Sequence, residues 1–181
     1  MDAPPRALIT QSAAELLRRL RERHGPLMFH QSGGCCDGSS PMCYPEGEFI
    51  VGDRDVLLGI LDGAPVWISG SQFEAWKHTQ LVIDAVPGRG GGFSLEAPEG
   101  VRFLSRGRAF TPDELAVLEA DPPLRGVDYA AGRRPRDPSR PVVVLAAADV
   151  PPQAGGAPAR CRRVPSRRCV NRASAAGALL S

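Results

Sequence analysis

The chain has 181 residues, 43% of them hydrophobic, which is enough for one core of ordinary size with an appendage. Its net charge of +2 hides an asymmetry: residues 1–120 carry 11 Lys and Arg against 16 Asp and Glu, while residues 121–181 carry 11 against 4. An acidic body with no basic helix or basic aromatic stripe excludes a specific nucleic-acid reader, and the arginine-rich end offers polyanions only non-specific attraction.

Near the start, Glu15, Arg18, Arg19, Arg21, Glu22 and Arg23 break up any apolar leader, and no run approaches the ~20 apolar residues of a membrane span. The expected location is therefore cytoplasmic, with thiols reduced and no membrane partner. The odd count of five cysteines also argues against a disulfide scaffold.

In chain order, Ser12 to Glu15 reads as a capping box, with Ala13, Leu16, Leu17 and Leu20 on one face and a stop at His24-Gly25-Pro26. His24 there complements the helix dipole from the surface. Leu27-Met28-Phe29 is a short strand that leads straight into a glycine-rich loop. Strands follow at Glu48 to Val51, Val56 to Leu61 and Ala64 to Ser69, the last two joined by Asp62-Gly63, the dipeptide favoured in two-residue hairpins. A second capping box at Ser71 to Glu74 opens a short helix or turn from Gln72 to His78. Gln80 to Val86, Phe93 to Glu96 and Val101 to Ser105 complete the strands, and Thr111-Pro112-Asp113-Glu114 opens a final helix to about Ala120.

The pattern predicts an α+β domain over residues 1–120, a mainly antiparallel β meander with an N-terminal helix and a short C-terminal one. Residues 121–181, rich in Pro, Arg, Ala and Gly, read as a disordered tail, with one possible strand at Val142 to Ala148. Trp67 and Phe73 read as core aromatics and Trp76 as cover for the sheet edge. Asp53, Asp55 and Asp62 read as turn caps rather than a calcium site. Gly90-Gly91-Gly92 is no nucleotide fingerprint, because it does not link a strand to a helix in the required pattern.

Potential chemistry is concentrated in His30-Gln31-Ser32-Gly33-Gly34-Cys35-Cys36-Asp37-Gly38, with Cys43 following. Cys35, Cys36 and Cys43 could supply thiolates to a soft or borderline metal, zinc or an iron–sulfur cluster, with His30 as a fourth ligand. Adjacent cysteines on extended chain point to opposite sides, so they converge only if Gly33, Gly34 and Gly38 curl the backbone. The same curl would aim backbone N–H groups, with Asp37 nearby, at an anion or cofactor and lower a thiol pKa. That leaves open a reactive thiol with His30 or His78 as base and Asp37 as orienter, and also a strained loop without chemistry.

With these residues in view, positions 7 to about 120 resemble a bacterial family catalogued as domain of unknown function 779, whose hallmark is the Gln31-to-Ser39 block followed by Pro41-Met42-Cys43. The resemblance implies small proteins encoded beside aldehyde dehydrogenases and carries over no catalytic residues. A fainter similarity is to the A-type iron–sulfur carriers (HesB-like), in the order of the helix over Ile9 to Arg23, the Gly33-to-Gly38 loop, Leu81-Val82-Ile83-Asp84 and Gly92-Phe93. The carriers' C-terminal Cys-x-Cys has no counterpart between Phe93 and Phe110. The functional expectation is an accessory protein of aldehyde metabolism that binds a metal, cluster or thiol-reactive compound through the loop. The alternatives are a cysteine-dependent thiol or redox enzyme and an interaction module for an aldehyde dehydrogenase.

Overall fold

The computed structural model describes residues 3–31, 40–135 and 144–151. The first half runs β1 (Ala7–Thr10), α1 (Gln11–His24), β2 (Leu27–Gln31), β3 (Met42–Pro45), β4 (Val56–Leu61) and β5 (Ala64–Ile68). Then come α2 (Gly70–Trp76), β6 (Thr79–Pro87), β7 (Val101–Ala109), α3 (Pro112–Ala120), α4 (Gly126–Ala130) and β8 (Val144–Leu145). Two four-stranded sheets form, in the orders β7-β6-β1-β8 and β3-β2-β5-β4.

The α+β class holds, and the antiparallel ladders β2·β3, β4·β5 and β6·β7 carry most of the pairing. Parallel ladders β1·β6, β1·β8 and β2·β5 join them, so each sheet is mixed. The meander is thus interrupted, because the chain changes sheet through α1 and again between β5 and β6, so that β6 returns beside β1 and parallel to it, and β5 returns beside β2 after β3 and β4. Two expected strands are not formed. Residues 48–51 and 93–96 are turns and irregular chain, the first laid over one face of the second sheet and the second along the edge of β3.

The hairpin at Asp62-Gly63 forms as the dipeptide requires, with φ of 48° and 83° at its two central residues and Leu61 opposite Ala64. Arg21 of α1 clamps it through the Asp62 carbonyl and carboxylate. At α3 the capping box is as expected, Thr111 accepting from Glu114 N and Glu114 reaching back to Thr111 N. Arg108 and the Thr111 amide hold the Glu114 carboxyl down at about 2. The box expected at Ser71 is absent: α2 starts at Gly70, with Ser69 as its cap residue.

The start of α1 also differs from the expected Ser12 cap. Thr10 is the cap, its hydroxyl accepting from Ala13 N at 3.3 Å, because β1 ends there in extended backbone and Gln11 is already helical. Ser12 turns instead to Asp84, whose Oδ1 accepts from Thr10 Oγ1 at 2.8 Å, Ser12 Oγ at 3.1 Å and Ala85 N at 2.8 Å. Arg106 donates to Asp84 Oδ2 at 2.8 Å. Burial pushes the Asp84 carboxyl up, but these donors outweigh it and leave it below its usual range. A polar knot on β6 thereby fastens β1, the head of α1 and β7.

The inner faces of both sheets and the apolar side of α1 share one core, including Ile9, Leu16, Leu17, Leu20, Phe29, Val66, Ile83 and Phe103. Phe29 of one sheet meets Phe103 of the other edge to face at 4.9 Å between ring centres. Ser105 Oγ donates to Gln31 Oε1 at 2.8 Å across the same interval. The outer face of the β3-β2-β5-β4 sheet carries Met28, Leu57 and Trp67 under Tyr44, Phe49, Val51, Leu124 and Tyr129.

The folded body therefore runs past the boundary expected at residue 120. Leu57 N donates to Leu124 O at 2.9 Å, Gly126 N to Asp55 O at 2.8 Å, and Tyr129 meets the Trp67 ring at 5.3 Å. No periodic apolar face announces this segment, because it is held by backbone bonds and a few side chains. Farther on, β8 realises part of the strand foreseen over Val142 to Ala148.

Thr10→Ala is expected to destabilise by ~1–2 kcal/mol, having lost a cap and a buried bond, and Ser12→Ala by less than half of that. Because the Asp84 carboxyl titrates below its ordinary 3.8 in the folded chain, its network contributes fully above that pH. The contribution fades as the pH falls through the folded value. Urea midpoints of the two variants at pH 7 and pH 3 check the ranking and the sign.

Candidate functional site

β2 supplies the frame of the site. All five of its residues are buried, so the strand is covered on both faces. In register, Phe29 lies opposite Cys43 and Val66, and His30 opposite Met42 and Trp67. Successive side chains of a strand point to opposite faces, so Phe29 and Cys43 enter the inner core and His30 sits on the outer face. His30 and Cys43, expected as ligands of one ion, are not brought together. Cys35, Cys36, Asp37, Gly33, Gly34 and Gly38 lie outside the described residues.

Cys43 is fully buried and belongs to the inner core. Burial, and then the charge of Glu96, push its thiol far up, so it is held as a neutral hydrophobe. A neutral, enclosed thiol is a poor nucleophile and a poor ligand. Its backbone seals the edge of β3: Cys43 N donates to Ser94 Oγ at 2.8 Å and Leu95 N to Cys43 O at 3.1 Å.

Glu96, which the strand reading placed on an ordinary strand, is fully buried beside this edge. Ser94 Oγ donates to its Oε2, and no described group bonds its Oε1. Burial raises its carboxyl above the usual range, with the Ser94 bond opposing.

His30 is organised differently. Its ring is nearly inaccessible, 4% exposed, and its Nε2 lies 3.0 Å from Asp55 Oδ2. Asp55 is fixed in turn by Gly52 N, which donates to the same oxygen at 2.8 Å. A carboxylate only accepts, so in the neutral imidazole Nε2 carries the proton and Nδ1 keeps its lone pair. That Nδ1 is buried and has no hydrogen-bond partner among the described residues. The Phe49 ring covers the imidazole at 4.3 Å between centres, and Phe49 stacks on Tyr44 at 5.0 Å.

An oriented imidazole whose Nδ1 has no partner among the described residues thus stands one residue before the end of β2, close in sequence to Cys35 and Cys36. Such a nitrogen can ligate a metal or accept a proton from a thiol. Asp55 is the residue that the turn reading undervalued. It does cap a turn amide, and the signal that it does more is tertiary, since β4 must come two strands from β2 before the pair can meet. His78, the other base considered, is exposed in the turn just before β6 of the opposite sheet. His24 ends α1 on the surface. Among the described residues no three His, Cys, Asp or Glu side chains gather as a metal cluster. None of the described helices is long and apolar enough to cross a membrane.

A profile for a domain of unknown function, DUF779, matches residues 16–109. The chain belongs to this family. The match begins within α1 and ends with β7, so it takes in both sheets' long ladders, His30, Asp55, Cys43 and Glu96, and leaves out β1, α3, α4 and β8. No curated protein and no solved structure matches the chain.

Glu96→Gln tests the buried carboxyl. A carboxyl whose folded value is raised binds its proton more tightly in the folded chain, so stability falls as pH rises above the ordinary 4.5. The Gln variant is expected to be at least as stable as the parent at pH 7, and to lose that advantage at pH 4, as read from urea midpoints. The opposite pH trend would mean that a cation partners Glu96.

Proposed function

We propose that this protein is a non-catalytic accessory protein that binds a metal ion at the end of Leu27–Gln31, with His30 Nδ1 as the nitrogen ligand and Cys35 and Cys36 as thiolate ligands. The observation that carries this reading is the buried His30 ring, tied through Nε2 to Asp55 and left with an unpartnered Nδ1. Metal-binding imidazoles are commonly held in this way, a carboxylate on the far nitrogen fixing tautomer and ring orientation. Mixed imidazole and thiolate donors suit zinc first and an iron–sulfur cluster second. Cys43 drops out of the donor set, because its thiol is on the other face of the sheet and neutral. Bound zinc would lower the thiol pKa values and offer a Lewis acid to a carbonyl oxygen. A role in aldehyde metabolism, beside an aldehyde dehydrogenase in the cytoplasm, rests on the family resemblance and is part of the proposal.

The His30–Asp55 pair also favours a second reading, a thiol enzyme in which His30 is the base for Cys35 or Cys36 and Asp55 its orienter. Elemental analysis of anaerobically purified protein separates the two. Stoichiometric zinc or iron is expected in the parent and in Cys43→Ser, and a large loss in His30→Ala, Cys35→Ser and Cys36→Ser. Metal-free protein whose Cys35 or Cys36 alkylates more slowly once His30 is replaced would favour the enzyme. Neither metal nor a His30-dependent thiol would leave the interaction module.

A further inference from the structure

The carboxylate that orients His30 is itself held from outside the family match. Asp55 lies in a turn whose backbone makes three bonds. Asp55 N donates to Gly52 O at 2.9 Å, Gly126 N donates to Asp55 O at 2.8 Å, and Val127 N donates to Asp53 O at 3.2 Å. The two donors from α4 come from residues 126 and 127, beyond the matched 16–109. A bridge between Val56 and Arg125 continues the contact on the strand side.

Position 126 admits no side chain. A carbon placed on Gly126 would lie 2.1 Å from the Gly52 carbonyl oxygen and 3.2 Å from Val51 Cγ1. Gly52 is also the residue whose amide fixes Asp55 Oδ2. Crowding at residue 126 is therefore transmitted to the oxygen that meets His30. On the other side, Tyr129 packs edge-on against Trp67, the strand neighbour of His30, and Arg134 lies over Tyr129 at 3.8 Å.

We infer that Leu124–Tyr129 is a positioning clamp for the His30–Asp55 pair, with Gly126 the residue that lets it close on the Gly52–Asp55 turn. The clamp touches neither ring nitrogen and acts only through Asp55. Its consequence for metal binding rests on the function proposed above. Its consequence for the imidazole does not.

The test uses the full chain, first freed of metal, and reads the ring nitrogens of His30 by NMR. The parent should show a single Nε2–H tautomer. Gly126→Ala, and Asp128→Ala, which removes the bond from Arg125 N at 3.0 Å that starts α4, should both shift His30 toward a tautomer mixture. In both, zinc affinity measured by titration should fall about 10–100-fold, the range for losing an outer-shell partner of a metal ligand. Leu118→Ala, in α3 and clear of the turn, should lower the melting temperature without altering the ring signal.

An unchanged His30 signal in both clamp variants overturns the inference. The same holds if Leu118→Ala shifts the signal equally, since general loosening would then suffice. If Gly126→Ala does not fold, Asp128→Ala decides. Should the ring respond while neither parent nor variant takes up zinc, the metal proposal fails and the clamp stands.

Discussion

The structure depends on one strand being buried on both sides. Leu27–Gln31 lies between β3 and β5, with its odd-numbered residues in the inner core and its even-numbered residues on the outer face. Covering two faces demands two layers of cover. The inner one is the second sheet and α1, met through Phe29 against Phe103 and Gln31 against Ser105. The outer one is Phe49 and Val51 from irregular chain, with Leu124 and, from the short helix α4, Tyr129. A residue placed on the outer face is therefore dry without being in the main core, and His30 occupies that environment.

The electrostatics follow from this layering. Three carboxylates are buried or nearly so, and each is treated differently by its donors. Asp84 is surrounded by Thr10, Ser12, Ala85 N and Arg106 and stays ionised. Glu96 is met by the Ser94 hydroxyl and by backbone amides of Glu96 and Phe103, with no cation among its described contacts, and burial outweighs these donors, so its pKa rises. Asp55 has one turn amide and one imidazole. The first is architecture, tying β1, β6 and β7. The second is a cost of closing the edge of β3 with a loop instead of a strand. Among the described residues only the third faces a ring nitrogen without a hydrogen-bond partner, and the proposed chemistry is placed there for that reason.

The extent of the family match fits this division. Residues 16–109 contain the two long ladders and both members of the His30–Asp55 pair, while the outer cover from Leu124 to Tyr129 lies outside. All four strands of the β3-β2-β5-β4 sheet lie within the matched portion, whereas β1 and β8 of the other sheet lie outside it. Part of the cover of the outer face of the β3-β2-β5-β4 sheet, Leu124 and Tyr129, and the bonds from residues 126 and 127 to the turn holding Asp53 and Asp55, come from chain that the family profile does not reach.

What the sequence by itself determined is local. The Asp62-Gly63 hairpin, the Thr111 capping box and the apolar face of α1 follow from backbone preferences and period, and each is present as read. The strand at Leu27-Met28-Phe29 follows from the same preferences, and its continuation through His30 carries the His30–Asp55 pair on which the proposed site is built. Residues 93–96 and 48–51 were misread because short apolar runs look alike whether they pair in a ladder or lie across one. Ser12 looked like a cap because the box pattern fits two registers, and only the end of β1 selects Thr10. Tertiary structure alone decided that Cys43 and His30 face apart. Parity along one strand says nothing about the next strand to pair with it, and the register Phe29 to Cys43 sets it. It also decided that Asp55 meets His30, since two residues 25 apart meet here only when β5 pairs with β2 and holds β4 on its far side.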